Sequence, residues 1–263
     1  MKYCDVTVII PTYNAEESIE RALHSVFAQS SLPKKIIVVD DASKDKTCEL
    51  VSSISQNAIV EVQLVELDVN SGPSKARNTG WDLSDTMYIA FLDSDDSWDE
   101  NKLRIQFDFM QKNYLFDMSC HSYNLYERKN INTVESCDDY SLLTKCNILM
   151  RNSIGTRTVM LKRNLNFRFD EKKRRAEDFL LWAEIILSNK KVAYLNCDLA
   201  TIYKMEFGDS GLSGDLSLMH DGAQDALYKL KKNDYFSQLT YRALSIYFYI
   251  KHFRRVLLVW LRE

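Results

Sequence analysis

The sequence predicts an α/β fold: a mostly parallel central sheet flanked by helices, followed by a helical C-terminal tail. Two observations predict the sheet. Strand and helix signals alternate through residues 6–92, and the strands are near-continuous apolar runs, the pattern of strands covered on both faces. Val6–Ile10 is the first strand; the turn Pro11-Thr12-Tyr13-Asn14 follows, then a helix whose Ile19, Ala22, Leu23, Val26 and Phe27 share one face. Ile36–Val39 is the second strand and ends in Asp40-Asp41. Residues 43–53 form the next helix, with Thr47, Leu50 and Val51 turned inward. Residues 60–67 alternate as a strand, 74–83 read as helix, and Met87–Leu92 is the fourth strand. Beyond residue 100 the patterns weaken. A helix over 102–113 carries Leu103, Ile105, Phe107, Phe109 and Met110, and 127–139 is a polar loop or irregular hairpin. A buried helix covers 179–187, a short strand 192–195, and Gly208–Gly214 reads as a flexible loop.

The 263 residues are 46% hydrophobic and 27% charged, which places the chain among soluble globular proteins. With 7 glycines and 3 prolines, long flexible linkers are not expected. A net charge of -3 gives no global ground for nucleic-acid binding. Cysteines 4, 48, 120, 137, 146 and 197 form no Cys-x-x-Cys pair, and the histidines are dispersed. That scatter is read as reduced thiols of a cytosol rather than a disulfide framework or a zinc site. A strand starts at Val6 in place of a targeting segment, and no run reaches the ~18 apolar residues of a membrane span, so a cytoplasmic location is expected. The tail differs in character. Tyr235 to Arg262 lacks acidic residues, carries Arg242, Lys251, Arg254, Arg255 and Arg262, and aligns Ile246, Ile250, Phe253, Val256, Leu257 and Trp260 on one helical face. Such a helix either lies on an anionic membrane surface or packs on the core with its basic residues in solvent.

The strongest chemical signal is Asp93-Ser94-Asp95-Asp96, where an apolar strand ends in crowded carboxylates. Hard oxygen ligands of this kind suit Mg²⁺ or Mn²⁺, which would relieve their repulsion. The other reading is an acidic turn leading into the helix after Asp99, Glu100 and Asn101. Ligands of open α/β sheets bind outside the carboxyl ends of strands. Asp40-Asp41, Thr12-Tyr13 and residues 93–96 are therefore expected along one edge. There Asp41 can accept the N3–H of a uracil ring on which Tyr13 stacks, while Asp93 and Asp95 hold a metal bridging two phosphates. Asp40 taken alone reads equally as a cap of the following helix.

Pro11-Thr12-Tyr13-Asn14, Val38-Val39-Asp40-Asp41-Ala42-Ser43 with Asp45 and Thr47, Ala76-Arg77-Asn78-Thr79-Gly80, and Phe91-Leu92-Asp93-Ser94-Asp95-Asp96 resemble, in that order, the family 2 glycosyltransferases of the GT-A fold. The resemblance implies a nucleotide-diphospho-sugar transferase sheet. It makes residues 1–113 the nucleotide-sugar half, 114–215 the acceptor-binding and catalytic half, and 216–263 a basic amphipathic tail. Pro11, Thr12, Tyr13 and Asp41 would hold the nucleoside, with Arg77 and Ser94 lining the donor pocket. Arg77 would pair with phosphate oxygens or bridge to Asp93 or Asp41. Asp93 would contact ribose and cation, and Asp95 would be the more direct metal ligand. Glu177-Asp178 before Phe179-Leu180-Leu181-Trp182 is similar to the family's acidic pair, which makes Asp178 the catalytic base; acids in a first helical turn are the plainer alternative. Asn152–Leu161 resembles an acceptor-side segment, and Lys172–Arg175 either guides a diphosphate or stands in solvent. One departure stands out: Tyr203-Lys204-Met205-Glu206 replaces a Tyr-Arg-x-His run and puts Glu206 where a metal-binding histidine is expected.

The implied activity is inverting, metal-dependent transfer from a nucleotide sugar, UDP-hexose above all. The acceptor would be a saccharide carried on a polyprenyl diphosphate, in bacterial surface-polysaccharide synthesis of the O-antigen, capsule or lipopolysaccharide kind. The enzyme would work peripherally, on the cytoplasmic face of the inner membrane, with no nucleic-acid partner. A sugar nucleotidyltransferase would need a glycine-rich, basic loop after the first strand, and Pro11–Glu16 has neither feature. A non-catalytic nucleotide-sugar-binding module would not need Glu177-Asp178.

Overall fold

The computed structural model describes residues 2–128, 133–204 and 215–260. Glu206, the Gly208–Gly214 segment, Arg262 and the side chain of Trp260 lie outside the described residues. The chain forms two compact units that interleave along the sequence. Met1–Leu143, Ile154–Asn166 and Lys190–Tyr203 build the first, and Thr144–Ser153, Phe167–Asn189 and Lys204–Glu263 the second.

The first unit carries the sheet. Its strands are β1 (Tyr3–Thr12), β2 (Leu32–Asp40), β3 (Glu61–Glu66), β4 (Tyr88–Phe91), β5 (Ser97–Trp98), β6 (Met118–Leu125), β7 (Tyr140–Leu142), β8 (Met160–Lys162) and β9 (Val192–Ile202). They lie in the order β3-β2-β1-β4-β8-β6-β9-β5, with β7 paired to β9. Helices α1 (Ile19–Phe27), α2 (Thr47–Ser55), α3 (Pro73–Leu83) and α4 (Lys102–Lys112) belong to the same unit. β1 runs parallel to β2 and β4, β2 to β3, and β6 to β9; β8 is antiparallel to both β4 and β6. It follows that β3, β2, β1, β4, β6 and β9 all end at one edge, and β8 begins there. This is the α/β architecture that the apolar strand runs predict. β1 is buried from Val6 through Thr12, and the stripe Ile19, Ala22, Leu23, Val26 is the buried face of α1.

α3 packs on β1 through a close approach at Gly80. A Cβ placed there would stand 2.5 Å from Ile9 Cγ2, and Ile9 is fully buried. No side chain fits without displacing Ile9, which accounts for the glycine that closes the Ala76–Gly80 block.

Structure and expectation part company after residue 113. β6 and β8 carry no strong sequence signal, and the short strand over 192–195 continues to Ile202. The reason lies in β9 itself. Asn196 and Asp198 break its apolar run where its register with β6 shifts, after His121 and again after Ser122. The expectation of reduced thiols also needs correction. Cys137 and Cys197 form a disulfide, with Cα atoms 6.1 Å apart, while Cys4, Cys48, Cys120 and Cys146 are free. A separation of 60 residues conceals the pair. They meet because β7 pairs antiparallel with β9, Tyr140 opposite Leu195, and carries the segment before it alongside the strand.

Among the described residues the second unit is helical: α5 (Lys145–Met150), α6 (Glu177–Leu187), α7 (Leu216–Lys232) and α8 (Gln238–Trp260). α5 packs on α6, α6 on α7, and α7 on α8. Asp215 caps α7, its Oδ1 accepting from the Ser217 and Leu218 amides at 2.9 Å. The basic run before α6 is divided in its roles. Lys173 is buried and donates to Asp225 Oδ2 (2.6 Å) and the Gly222 carbonyl (2.8 Å), so it ties the segment to α7 instead of facing solvent or substrate. Lys229 donates to Asp170 Oδ2 at 2.7 Å and completes that tie. No helix among the described residues is long and apolar enough to cross a membrane.

Candidate functional site

The shared carboxyl edge brings the expected residues together in strand order. At the end of β2, Asp40 accepts from the amide and hydroxyl of Ser43, so it serves as a turn cap. Asp41 is buried, and its Oδ1 and Oδ2 accept from the amides of Ser71 (2.6 Å) and Gly72 (2.7 Å). Its carboxylate thus holds the loop ahead of α3, with lone pairs still to offer. Gly72 has φ 93°, a left-handed conformation suited to glycine. At the end of β1, Pro11 is opposite Val39 within the strand, and Thr12 is buried with no hydrogen-bond partner for its Oγ1. Tyr13, next in the chain, is exposed.

Polar contacts lock the turn after β1 to the turn after β2. The Asn14 amide donates to Ser43 Oγ (2.8 Å), the Ala15 amide to Thr47 Oγ1 (2.8 Å) and the Glu16 amide to Asp45 Oδ2 (3.0 Å). In return, Lys44 and Lys46 donate their amides to Asn14 Oδ1 and Glu16 Oε2. Asn14 (φ 46°) and Ala42 (φ 62°) adopt left-handed backbone in these turns. Ser43, Asp45 and Thr47 are therefore the joinery of the edge.

Beyond β4 the acidic turn is bracketed by guanidinium groups. Arg77, on α3 and 7% exposed, donates to Asp93 Oδ1 at 2.9 Å. This ion pair to Asp93 is one of the roles expected of Arg77. Arg157 lies in the turn leading into β8. Its Nη1 is 4.0 Å from Asp93 Oδ2 and its Nε 3.4 Å from Asp96 Oδ2, and its guanidinium rests 4.3 Å from the Tyr123 ring centroid. Trp98 Nε1 holds the Arg157 carbonyl at 2.8 Å. Burial pushes the Asp96 carboxyl well above the usual range, with Arg157 opposing the shift and Asp93 and Asp95 adding to it. Ser94 and Asp95 are half-buried, and Asp95 accepts through its carbonyl from Arg21 Nη2 at 2.7 Å. The sequence marks the segment containing Arg157 but not the residue. Only the antiparallel β8, unread in the sequence, carries its guanidinium to this edge.

The acidic turn offers hard oxygen donors, yet no group of three or more His, Cys, Asp or Glu side chains converges among the described residues. Mg²⁺ is commonly held by one or two carboxylates plus substrate phosphates. The donors present therefore fit a cation that arrives with a nucleotide better than one resident in a cage.

Glu177 and Asp178 lie in the second unit, at the start of α6, after Ala176 in a left-handed conformation (φ 52°). Glu177 is buried and Asp178 half-buried, and Asp178 Oδ1 accepts from the Phe179 amide at 2.6 Å.

Comparison with known proteins agrees with this geometry. A family model described as glycosyl transferase family 2 matches residues 7–169. The chain is 35% identical over 193 residues to the Escherichia coli UDP-Glc:alpha-D-GlcNAc-diphosphoundecaprenol beta-1,3-glucosyltransferase WfgD, covering 73% of each protein. It is 30% identical over 207 residues to the E. coli enzyme WfaP, which bears the same activity name, covering 77% of this chain and 78% of that one. The crystal structure of S. aureus TarS 1-349 in complex with UDP-GlcNAc superposes with a TM-score of 0.74 at 22% identity, over 97% of this chain and 73% of that one, a likeness of fold. The sheet, its carboxyl edge and these matches together establish that the chain belongs to glycosyl transferase family 2 and has the GT-A fold.

Proposed function

We propose that this glycosyltransferase is an inverting, metal-dependent hexosyltransferase that uses a UDP-hexose and extends a saccharide borne on a polyprenyl diphosphate in bacterial surface-polysaccharide synthesis. The observation that carries the reading is the edge itself. Thr12, Asp41, Arg77 and Asp93–Asp96 stand along it side by side, which capping alone does not require. WfgD and WfaP, whose names specify a UDP-Glc donor and a diphosphoundecaprenol-linked GlcNAc acceptor, narrow the substrates.

In this reading Pro11, Thr12, Tyr13 and Asp41 bind the nucleoside. The unpartnered Thr12 hydroxyl and the spare lone pairs of Asp41 meet its polar edge. Arg77 fixes Asp93 beside the ribose, and Ser94 lines the donor pocket. Asp95 and Asp93 hold Mn²⁺ or Mg²⁺, which supplies charge neutralisation for the departing diphosphate. Asp178, assisted by Glu177, takes the proton of the acceptor hydroxyl as that oxygen attacks the anomeric carbon. The bond from that carbon to the diphosphate breaks with its electron pair leaving on the diphosphate, and the configuration inverts. Residues 1–113 serve the donor and 114–215 the acceptor and catalysis. The tail, 216–263, meets the cytoplasmic face of the inner membrane.

Calorimetry of UDP, GDP and dTDP, each with and without Mn²⁺, tests the donor site on the wild type and on Asp95→Asn. UDP is expected to bind selectively, with a requirement for both metal and Asp95. Asp178→Asn is expected to abolish transfer, by at least about 10²-fold, with UDP affinity unchanged. Metal-independent binding without nucleotide preference would sink the reading of the acidic turn.

A further inference from the structure

β6 and β9 are parallel to β4 and leave the sheet at the same edge, on the far side of β8 from the acidic turn. Leaving β6, the chain enters a tight turn over Tyr126–Arg128, and leaving β9 it reaches Tyr203. The rings of Tyr126 and Tyr203 stack, with centroids 4.9 Å apart and planes 25° apart. The Arg21 guanidinium sits 3.8 Å from the Tyr203 centroid, and the same group donates to the Asp95 carbonyl. Tyr203 also shares a hydrogen bond of 3.1 Å between its hydroxyl and Ser97 Oγ. Arg21, Tyr203 and Tyr126 thus form a pile anchored on the acidic turn. Tyr203 is held on both faces and at its rim. Tyr126 has one face spent on Tyr203 and is nonetheless 59% exposed.

A single exposed aromatic is ordinary. This one is different in being fixed from behind, at the edge where the sheet collects its ligand-facing residues. A ring already ordered loses little side-chain freedom when something stacks on it. The occupant must offer a flat apolar face with polar groups at its rim, since a tyrosine gives an apolar plane and a polar tip. Two chemical classes qualify, a nucleobase and a pyranose. Under the proposed function the base lies at the ends of β1 and β2, with β4 and β8 intervening before Tyr126. β4 and β6 are two strand spacings apart, about 10 Å, which leaves room for a donor hexose between the diphosphate and the platform.

We propose that the outer face of Tyr126, backed by Tyr203 and Arg21, is a stacking platform for a pyranose ring of the saccharide acceptor. The C–H face of the sugar lies on the ring, and its hydroxyls point to the rim and to water. This rests on the family 2 reading above and adds to it a residue that selects the acceptor.

Saturation-transfer NMR on the full chain with saturating UDP and Mn²⁺ tests it, with methyl N-acetyl-α-D-glucosaminide as the probe. The C–H protons of one pyranose face are expected to receive saturation from the wild type and from Tyr126→Phe. Tyr126→Ala is expected to weaken that contact about tenfold, a loss of ~1.4 kcal/mol, with UDP affinity by calorimetry equal in all three proteins. Retention of the contact in Tyr126→Ala overturns the platform, as does a wild type that binds UDP and shows no contact with the glycoside. A wild type that binds no UDP overturns the functional reading itself, and the platform with it.

Discussion

At the scale of single residues, His121 makes the first unit sensitive to acid. The side chain is fully buried in β6, with Nδ1 2.7 Å from the Ser122 carbonyl and no partner for Nε2. Burial, reinforced by the nearby charges of Lys102 and Arg157, pushes its pKa down to about 3. In the unfolded chain the imidazole takes up a proton near pH 6.5, while the folded protein refuses it until about pH 3. Below pH 6.5 the unfolded state therefore binds more protons, and stability falls as the pH drops through that window. The expected slope from this residue is ~1.4 kcal/mol per pH unit. Urea denaturation at pH 7 and pH 5 should show His121→Asn losing about 2 kcal/mol less than the wild type on acidification; equal losses would mean that His121 does not set the acid sensitivity. The same scale shows what sequence alone can read of the site. The placing of Asp41, Asp93 and Asp95 just past strand ends is legible because each follows an apolar run local in the sequence. Arg157 and the pile of Arg21, Tyr203 and Tyr126 are not, because each depends on which strands become neighbours.

At the scale of elements, α3 meets β1 through the contact of Gly80 with Ile9. Gly80→Ala would place a methyl 2.5 Å from Ile9 Cγ2 and 3.4 Å from its Cβ, and Ile9 is fully buried. Overpacking of this kind costs about 1–3 kcal/mol, and thermal denaturation should report it as a lowered midpoint. Because α3 also carries Arg77, the shift should weaken UDP binding in the same protein, whereas the double variant Gly80→Ala/Ile9→Ala, which removes the Cγ2 and Cγ1 atoms that the new methyl meets, should recover part of the UDP affinity. A variant as stable as the wild type would mean that helix and strand can separate freely. Elements also explain where the fold was readable. Through residue 92, β1, β2 and β4 centre on near-continuous apolar runs that are buried and α1 is amphipathic, so period and burial agree there. From β6 onward the agreement fails: β8 has three residues, β9 contains Asn196 and Asp198, and both pair with partners distant in sequence. The disulfide of Cys137 and Cys197 was hidden for the same reason.

At the scale of the whole molecule, basic charge and exposed apolar residues coincide on α8. The chain carries a net charge of -3, yet Tyr235 to Arg262 contains basic residues and no acidic ones, so the remainder is more negative than the total. Under the proposed function, an anionic membrane is expected to attract α8. The helix is turned accordingly. Its inward side buries Leu244, sets Phe248 against Phe179 (5.7 Å) and donates the Tyr247 hydroxyl to the Met150 carbonyl (2.9 Å). Its outward side exposes Leu239, Ile246, Tyr249, Ile250, Phe253, Val256 and Leu257, with Phe253 71% exposed, and Arg242 and Arg254 of the same helix are exposed too. A helix packed only for the core would bury that stripe; an interfacial helix presents it. Flotation with vesicles should therefore show the full chain binding phosphatidylglycerol-containing membranes and not pure phosphatidylcholine. Each of Arg242→Ala and Arg254→Ala should remove about 1 kcal/mol, roughly a fivefold loss, and lessen the sensitivity to salt. Ile246→Glu/Phe253→Glu should abolish binding at any ionic strength while leaving UDP affinity intact, since α8 and the nucleotide edge belong to different units. Equal flotation with neutral vesicles, or indifference to these substitutions, would return α8 to the role of a packing helix and leave its exposed stripe for a protein partner.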